Sequence, residues 1–297
     1  DLTVQGLLSK PHTSSGRIPT QAGLRIYIDE LLPRRRLSVG MRGEFDRVLH
    51  EGAGRPSTLV RAASRQLASI CCSATIGRCL PMAESKVKRL DFVTLNPDRL
   101  LAVLVFSDGE VATRPITPQH PIPEADLIRA KNYFNASWSG NRLSEIKALL
   151  RAELVHAEKE RRPDAPLLRV TASAVAAAES PDDAVVVEGR TYLLEGHVES
   201  HQATSIIQAL DDKQILLELL DEIASQDGPQ VVFGAETQIK ALKHCTVVSA
   251  PYGIEERAIG AVAIIGSVRM DYAKIVPWVA HTARTINMIL HQRTQAA

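Results

Sequence analysis

The pattern of apolar and polar positions predicts a small hairpin and helix at the start of the chain. Residues 7–20 place apolar residues on both sides of a Thr-Ser-Ser-Gly tip, which is typical of a hairpin. Thr20 stands where it can cap a helix over 21–32. The apolar residues of that helix recur at helical spacing on one face: Leu24, Ile28, Leu31 and Leu32. Together these elements predict a small unit with a core of its own.

A longer body follows the glycine-containing stretch 52–56, where we expect a domain boundary. A helix is predicted over 58–72. Three strand-like segments then follow, and the turn residues between them predict an antiparallel meander over 90–95, 100–106 and 110–116.

The rest of the body alternates between helical and strand patterns. Residues 124–179 predict three helical pieces, broken near 139–141 and 163–166. A short hairpin is predicted for 184–188 with 191–194, and a long amphipathic helix for 203–225. The last predicted elements are strands at 230–233, 245–250 and 258–265 and a helix over 271–291. Since helices and strands do not alternate regularly, the fold class is α+β with an antiparallel sheet.

Charge is distributed unevenly along the chain. Residues 1–43 carry seven basic and three acidic side chains, a net charge of +4, whereas the remainder carries 28 basic and 31 acidic ones, a net charge of −3. A basic segment of this kind suits a phosphate-binding head, and it equally suits a solvated surface without a partner. The run Arg34–Arg36 leaves the same two alternatives.

The sequence offers no combination of residues that would form a catalytic or metal centre. It contains no Gly-x-Ser-x-Gly or phosphate-loop motif. His197 and His201 have the i, i+4 spacing of a zinc site, but Glu199 comes one place too late to act as the base, which favours a polar connector. The cysteines predict reduced, buried thiols: Cys71, Cys72, Cys79 and Cys245. We therefore expect no enzyme activity, no metal and no cofactor, and no apolar run approaches the ~20 residues of a membrane span.

The tip of the first hairpin has the composition of a DNA-backbone contact. Thr13, Ser14, Ser15 and Gly16 offer hydroxyl and amide donors beside the guanidinium of Arg17. Such a set suits the sugar–phosphate backbone or a narrow minor groove. An ordinary polar turn has the same composition.

Two distant stretches of the sequence resemble a known family of transcription regulators. The first is Pro11-His-Thr-Ser-Ser-Gly-Arg-Ile-Pro-Thr20, followed by Gly23-Leu-Arg25 and Tyr27-Ile-Asp29. The second is Gly266-Ser-Val-Arg-Met-Asp-Tyr272, followed by Ile275-Val-Pro-Trp-Val279. They resemble the wing and the second signature of HrcA-type heat-shock repressors.

Further stretches extend the resemblance over essentially the whole chain, and a few positions depart from it. Val231-Val-Phe-Gly-Ala-Glu236 and Asn132-Tyr-Phe-Asn135 also fit the family. The departures are Leu24 and Ile26 in place of aromatic residues, and Ser267 and Val268 in place of Pro-Thr.

The resemblance implies a winged helix-turn-helix head, a GAF-like antiparallel-sheet domain and an inserted, largely helical dimerising domain. The expected divisions are 1–33 for the wing and last helix of the head, 34–56 for a linker, 57–118 and 202–297 for the two parts of the GAF-like domain, and 119–201 for the insertion. The meander and the strands after residue 230 are then expected to complete one sheet. Because a winged head needs three helices before its wing, the chain is expected to be amino-terminally truncated and not to bind its operator specifically.

The resemblance also implies a function. A cytoplasmic homodimer would bind an inverted-repeat operator ahead of chaperone operons, be kept active by the GroEL chaperonin and lose activity on heat shock. The residues expected to contact double-stranded DNA are Lys10, His12, Thr13, Ser14, Arg17 and Arg25. Two alternatives remain at this point: a GAF-type module that senses a small ligand, and a chaperonin-docking protein that does not bind DNA.

Overall fold

The computed structural model describes residues 1–10, 16–33, 37–52, 56–79, 85–178, 184–193, 200–237, 239, 242–254 and 257–296. The chain forms two compact units. The first combines Asp1–Ala53, Thr58–Cys79 and Val185–Ala296, and the second consists mainly of Leu80–Ala184.

The chain begins with the predicted hairpin and capped helix. Strands β1 (Leu8–Ser9) and β2 (Ile18–Pro19) pair antiparallel, and α1 (Gln21–Ile26) continues as a π-helical turn, Tyr27–Leu31. The backbone N–H of Gly23 donates to Thr20 Oγ1 at 3.1 Å, which confirms the predicted cap. A Cβ atom at residue 23 would lie 2.1 Å from the Leu7 carbonyl oxygen, so a glycine is needed where the helix meets the hairpin. Residues 11–15 of the predicted tip lie outside the described residues.

The body of the first unit is a five-stranded antiparallel sheet with helices on both faces. Its strands are β3 (Ala74–Arg78), β7 (Val185–Glu188), β8 (Gln230–Phe233), β9 (Cys245–Ile254) and β10 (Arg257–Ser267). They lie in the order β7-β3-β10-β9-β8. The helices are α2 (Val39–Gly52), α3 (Pro56–Cys71), α7 (Ser200–Asp211), α8 (Lys213–Ala224) and α9 (Tyr272–Ala296).

The two faces of this sheet carry different helices because side chains alternate along each strand. On one face Ile76, Val247 and Ala263 share a core with the apolar sides of α7 and α8. On the other face α3 lies so close to β3 that a Cβ atom at Gly77 would meet Ser64 Oγ at 2.7 Å. The same face receives α9, whose Tyr272 hydroxyl lies 3.1 Å from Thr246 Oγ1.

The second unit contains the predicted meander and three helices. Strands β4 (Val87–Asn96), β5 (Arg99–Phe106) and β6 (Val111–Ile116) are followed by α4 (Glu124–Trp138), α5 (Leu143–Lys159) and α6 (Ala165–Ala177). Asn135 fastens α4 to β4: its Oδ1 accepts from Leu90 N at 2.8 Å and its Nδ2 donates to Leu90 O at 2.9 Å. These elements match the predicted ones closely.

The expectation that the meander completes the sheet of the body is wrong. Among the described residues β4, β5 and β6 form a separate three-stranded sheet. Its buried positions share one core with α4, α5 and α6, so the meander covers its apolar face without other strands. The second unit accordingly spans Leu80–Ala184 and contains the meander as well as the helices, whereas the predicted insertion covered 119–201.

Two predictions of local structure also need correction. The hairpin predicted for 184–188 with 191–194 is absent from the described residues, since β7 pairs with β3 and Arg190–Leu193 forms a 3-10 turn. The helix predicted over 203–225 is divided in two at Asp212. The Asp212 carboxylate accepts the N–H groups of Gln214 and Ile215 at 3.1 and 3.2 Å, so this residue starts α8 as its cap.

The cysteines are all free, and three of the four are buried as predicted. Burial raises the pKa of the Cys71 and Cys245 thiols to about 12. Cys72 departs from the prediction: it is exposed, with a φ of 48°, just beyond the end of α3.

No metal site or membrane span is found in the part of the chain that the structure describes. His, Cys, Asp and Glu side chains do not gather there in groups of three or more that suit a metal ion. His197 lies outside the described residues. None of the described helices is long and apolar enough to cross a membrane.

Candidate nucleic-acid interface

The basic side chains of the hairpin are exposed on either side of its tip. Lys10 follows β1 and Arg17 precedes β2, and both are exposed. The Arg17 guanidinium lies 3.7 Å from the Asp1 carboxylate, and the two side chains are 58% and 53% exposed. Such an exposed pair is weak, which leaves the positive charge of Arg17 accessible to a phosphate.

The other hairpin residues expected to contact DNA are His12, Thr13 and Ser14. They lie outside the described residues, and their contacts stay a prediction.

Arg25 has a different environment from Lys10 and Arg17, because it faces the body of the first unit. Its Nη1 donates to the Val231 carbonyl oxygen at 2.8 Å, and its Nη2 forms an ion pair with the Glu236 carboxylate. The guanidinium carbon lies 4.8 Å from the centre of the Phe233 ring, a cation–π distance. Asp29, one helical turn further along, is 3.9 Å away.

Glu236 is held in its charged form by the same contacts. Partial burial raises the pKa of its carboxyl group, but hydrogen bonds from Arg25 and from the Phe233 N–H outweigh that effect and lower the pKa below the ordinary value of 4.5. The Phe233 N–H donates to Glu236 Oε2 at 3.0 Å. Because the Glu236 carboxylate accepts hydrogen bonds from both the Phe233 N–H and Arg25, its position is fixed where it binds the guanidinium.

Arg25 therefore joins α1 to the end of β8. We call this contact the head–body latch, formed by Arg25 with Val231, Phe233 and Glu236. A direct contact of Arg25 with DNA stays a prediction, and its present partners already use both Nη groups. Glu236 and Phe233 belong to a stretch that the sequence singled out, but no spacing in the sequence linked that stretch to Arg25.

A second contact attaches α2 to the last helix of the body. Asp46 Oδ1 lies 2.9 Å from His281 Nε2 and accepts the Thr285 hydroxyl at 2.9 Å. The Phe45 ring packs against Trp278 with 5.4 Å between the ring centres. Burial lowers the pKa of His281 from its ordinary value of 6.5, and together with the charges of Arg284 and Arg42 it outweighs the opposing effect of Asp46. The imidazole in this contact is therefore shifted towards its neutral form.

Comparison with known proteins identifies close relatives along the whole chain. Residues 57–276 match the family model of the HrcA protein C terminal domain. The chain is 32% identical over 293 residues to the heat-inducible transcription repressor HrcA of Zymomonas mobilis, an alignment covering 98% of this chain and 84% of that protein. It is 31% identical over 296 residues to the repressor of the same name from Methylobacillus flagellatus, covering 98% of this chain and 85% of that protein.

A solved structure supports the fold. The crystal structure of a hypothetical protein at 2.2 Å resolution matches with a TM-score of 0.63 and 19% identity, covering 98% of this chain and 84% of that chain. The relatives define the class of the protein, which is a heat-inducible transcription repressor. The chain belongs to the HrcA family, so the resemblance seen in the sequence is confirmed.

Proposed function

We propose that the protein represses chaperone operons by binding an inverted-repeat operator as a homodimer. In this proposal the hairpin and α1 belong to a winged helix-turn-helix head, and the five-stranded sheet with its helices is a GAF-like body. The observation that carries the proposal is the antiparallel hairpin that exposes Lys10 and Arg17 on a chain of a repressor family. Cations of this kind supply the phosphate contacts that position a protein on a duplex.

The second unit supports the homodimer. Large apolar side chains are exposed on α4 and α5: Ile128, Leu149 and Val155. They are 49%, 51% and 66% exposed, whereas their neighbours Leu127 and Leu150 are buried in the core. Covering such side chains in an interface between two copies removes apolar surface from water. A two-fold dimer also matches the two-fold symmetry of an inverted repeat.

Heat sensitivity follows if the active dimer is only marginally stable. A few kcal/mol then decide the active fraction, and heat lowers it. In the proposal the GroEL chaperonin restores the active form, and unfolded client proteins draw it away during heat shock. Repression lapses until the chaperonin is free again.

The test is a binding titration of the full-length protein on DNA from upstream of a chaperone operon that contains an inverted repeat. The control DNA has the same composition and one disrupted half-site. We expect tight binding to the intact repeat, a protein-to-DNA ratio of two to one, and a large loss of affinity on the disrupted repeat. Equal affinity for the two DNAs would contradict the proposal.

The chaperonin part has a separate test. Protein diluted from denaturant is assayed for operator binding with and without chaperonin over a range of temperatures. We expect the chaperonin to raise the active fraction, most of all at the higher temperatures. Equal operator binding with and without chaperonin at every temperature would reject this part and leave operator recognition standing.

A further inference from the structure

A cavity of about 290 Å³ opens in the first unit where β10 ends and α9 begins. The end of α3 and the turn Arg190–Leu193 complete its wall. All of these segments belong to one compact unit. The proposed repressor function assigns no role to this cavity.

Part of the cavity wall is apolar. Tyr192 and Met270 are partly exposed and offer apolar surface to an occupant, whereas Leu193, Ile265 and Ile275 are 2%, 0% and 2% exposed and lie almost entirely in the core. An apolar wall of this kind binds hydrocarbon and offers water few hydrogen bonds.

The rim of the cavity is cationic. Arg269 and Lys274 stand on it, and in the described part of the chain neither side chain has an acidic partner or a hydrogen-bond acceptor. Asp271 is the acidic residue among the described residues of the rim, and its Oδ1 accepts the backbone N–H of Lys274 at 3.2 Å, as a cap of α9 does. Two cations and one carboxylate give this described part of the rim a net positive charge.

Lys274 is close enough to Cys71, which also lines the cavity, for its charge to act there. Burial raises the pKa of the Cys71 thiol to about 12, and the positive charge of Lys274 opposes that rise. A cation in partly desolvated surroundings attracts an anion more strongly than one in open water does.

The second signature stretch, 266–272, coincides with this cavity. The residues of that stretch on the cavity wall are Gly266, Ser267, Arg269, Met270 and Asp271. A Cβ atom on Gly266 would lie 2.9 Å from Met270 Cε, so the glycine leaves room for that side chain at the wall. The stretch thus brings the cationic rim and the end of β10 to one place.

We propose that this cavity binds a small organic carboxylate with an apolar body. Arg269 and Lys274 bind the carboxylate group, and the apolar part lies on Tyr192 and Met270. The volume equals the space of about ten water molecules at about 30 Å³ each, so it suits a ligand of roughly ten non-hydrogen atoms. Octanoate has this size and chemistry, and octanamide is its neutral counterpart of equal shape.

The first test uses the native thiol of Cys72 as a reporter, because it lines the cavity and is the exposed one of the four cysteines. The rate of its reaction with N-ethylmaleimide is followed by mass spectrometry with added octanoate or octanamide. We expect octanoate to slow labelling of Cys72 at millimolar concentration, and octanamide to have a much smaller effect. Equal protection by the two compounds, or no protection by octanoate, would overturn the proposal.

The second test removes the cations. Octanoate affinity is measured by calorimetry for the wild-type protein, for the double variant Arg269→Gln and Lys274→Gln, and for the control Arg284→Gln. Arg284 is an exposed arginine on the same helix and does not line the cavity. Loss of charge-assisted hydrogen bonds predicts at least about tenfold weaker binding for the double variant and unchanged binding for the control. Unchanged affinity in the double variant would overturn the assignment of the rim.

Discussion

The Arg25 guanidinium of α1 and the Glu236 carboxylate beyond β8 form an ion pair, although the two residues lie 211 positions apart in the sequence. The pair is reinforced by the Val231 carbonyl oxygen and the Phe233 ring. It joins the first helix of the chain to the edge strand of the five-stranded sheet. One side chain thus connects the candidate DNA-binding segment with the body.

The latch predicts a measurable coupling between its two charges. We expect Arg25→Ala and Glu236→Gln each to loosen α1, with a coupling free energy of about 1 kcal/mol in a double-mutant cycle, because the pair is partly exposed. Hydrogen exchange of the α1 amides measures the loosening. Arg284→Ala serves as the control and leaves exchange in α1 unchanged. Additive effects of the two latch substitutions would contradict a direct contact.

The latch is also expected to depend on acidic pH. Since the pKa of Glu236 is lowered in the folded protein, its contribution is present above the ordinary value of 4.5 and is lost as pH falls through the folded value. The difference in α1 exchange between the wild type and Glu236→Gln should therefore shrink as pH falls below about 4.5. A difference that persists undiminished well below that pH would show that the carboxylate charge is not responsible.

His281 predicts a second pH effect, near neutrality. Because burial lowers its pKa, the unfolded chain binds the proton more readily, and stability should decrease as pH falls from about 7 through 6.5. The measurement is urea unfolding followed by Trp278 fluorescence in a Trp138→Phe background at pH 7.5 and about 5.5. His281→Gln should reduce this decrease, whereas the exposed His50→Gln should retain it. An identical decrease in both variants would exclude His281 as its source.

Gly234 predicts a steric effect at the start of the turn after β8. A Cβ atom there would lie 1.5 Å from the backbone oxygen of Leu242. A backbone atom cannot move aside as the end of a flexible side chain can. Gly234→Ala should destabilise the first unit by more than about 2 kcal/mol. Gly43→Ala in α2 is the matched control, because nothing lies within 4 Å and the helix gains stability, by up to about 1 kcal/mol. Similar melting temperatures for the two variants would refute the steric explanation.

Arg17 predicts an effect on DNA binding without an effect on folding. Arg17→Ala should weaken operator binding of the full-length protein and reduce its salt dependence by about one counterion. Arg65→Ala is a matched control, since Arg65 is similarly exposed and sits 3.4 Å from a carboxylate of Glu188. Equal operator affinity of both variants and the wild type at one salt concentration would remove Arg17 from the interface.

Local elements could be predicted from the sequence because their signals are local. Thr20 precedes its helix directly, and Asn135 and Leu90 lie on a helix and a strand that the apolar pattern had already located. The separation of β4–β6 into their own sheet could not be predicted, because strand pairing between distant segments leaves no mark in the periodicity of either one. The same applies to β7, whose pattern suggested a neighbour in the sequence while its true partner is β3.

Part of the candidate site could be predicted from the sequence and part could not. The basic character of the hairpin was visible in its composition, and Lys10 and Arg17 are exposed as a phosphate contact requires. The contact of Arg25 with Glu236 was not visible, because an arginine that pairs with a distant carboxylate and one that does not look alike in a sequence. The structure places Glu236 beside α1, and a contact of Arg25 with DNA stays a prediction.

Repression through an inverted repeat can be measured by transcription in vitro from a chaperone promoter, with the full-length protein added to the intact template and to a template with one half-site disrupted. We expect the amount of transcript to fall with added protein on the intact template, to stay constant on the disrupted template, and to recover on the intact template when the protein is heated. Equal transcript from both templates at every protein concentration would contradict repression through the repeat.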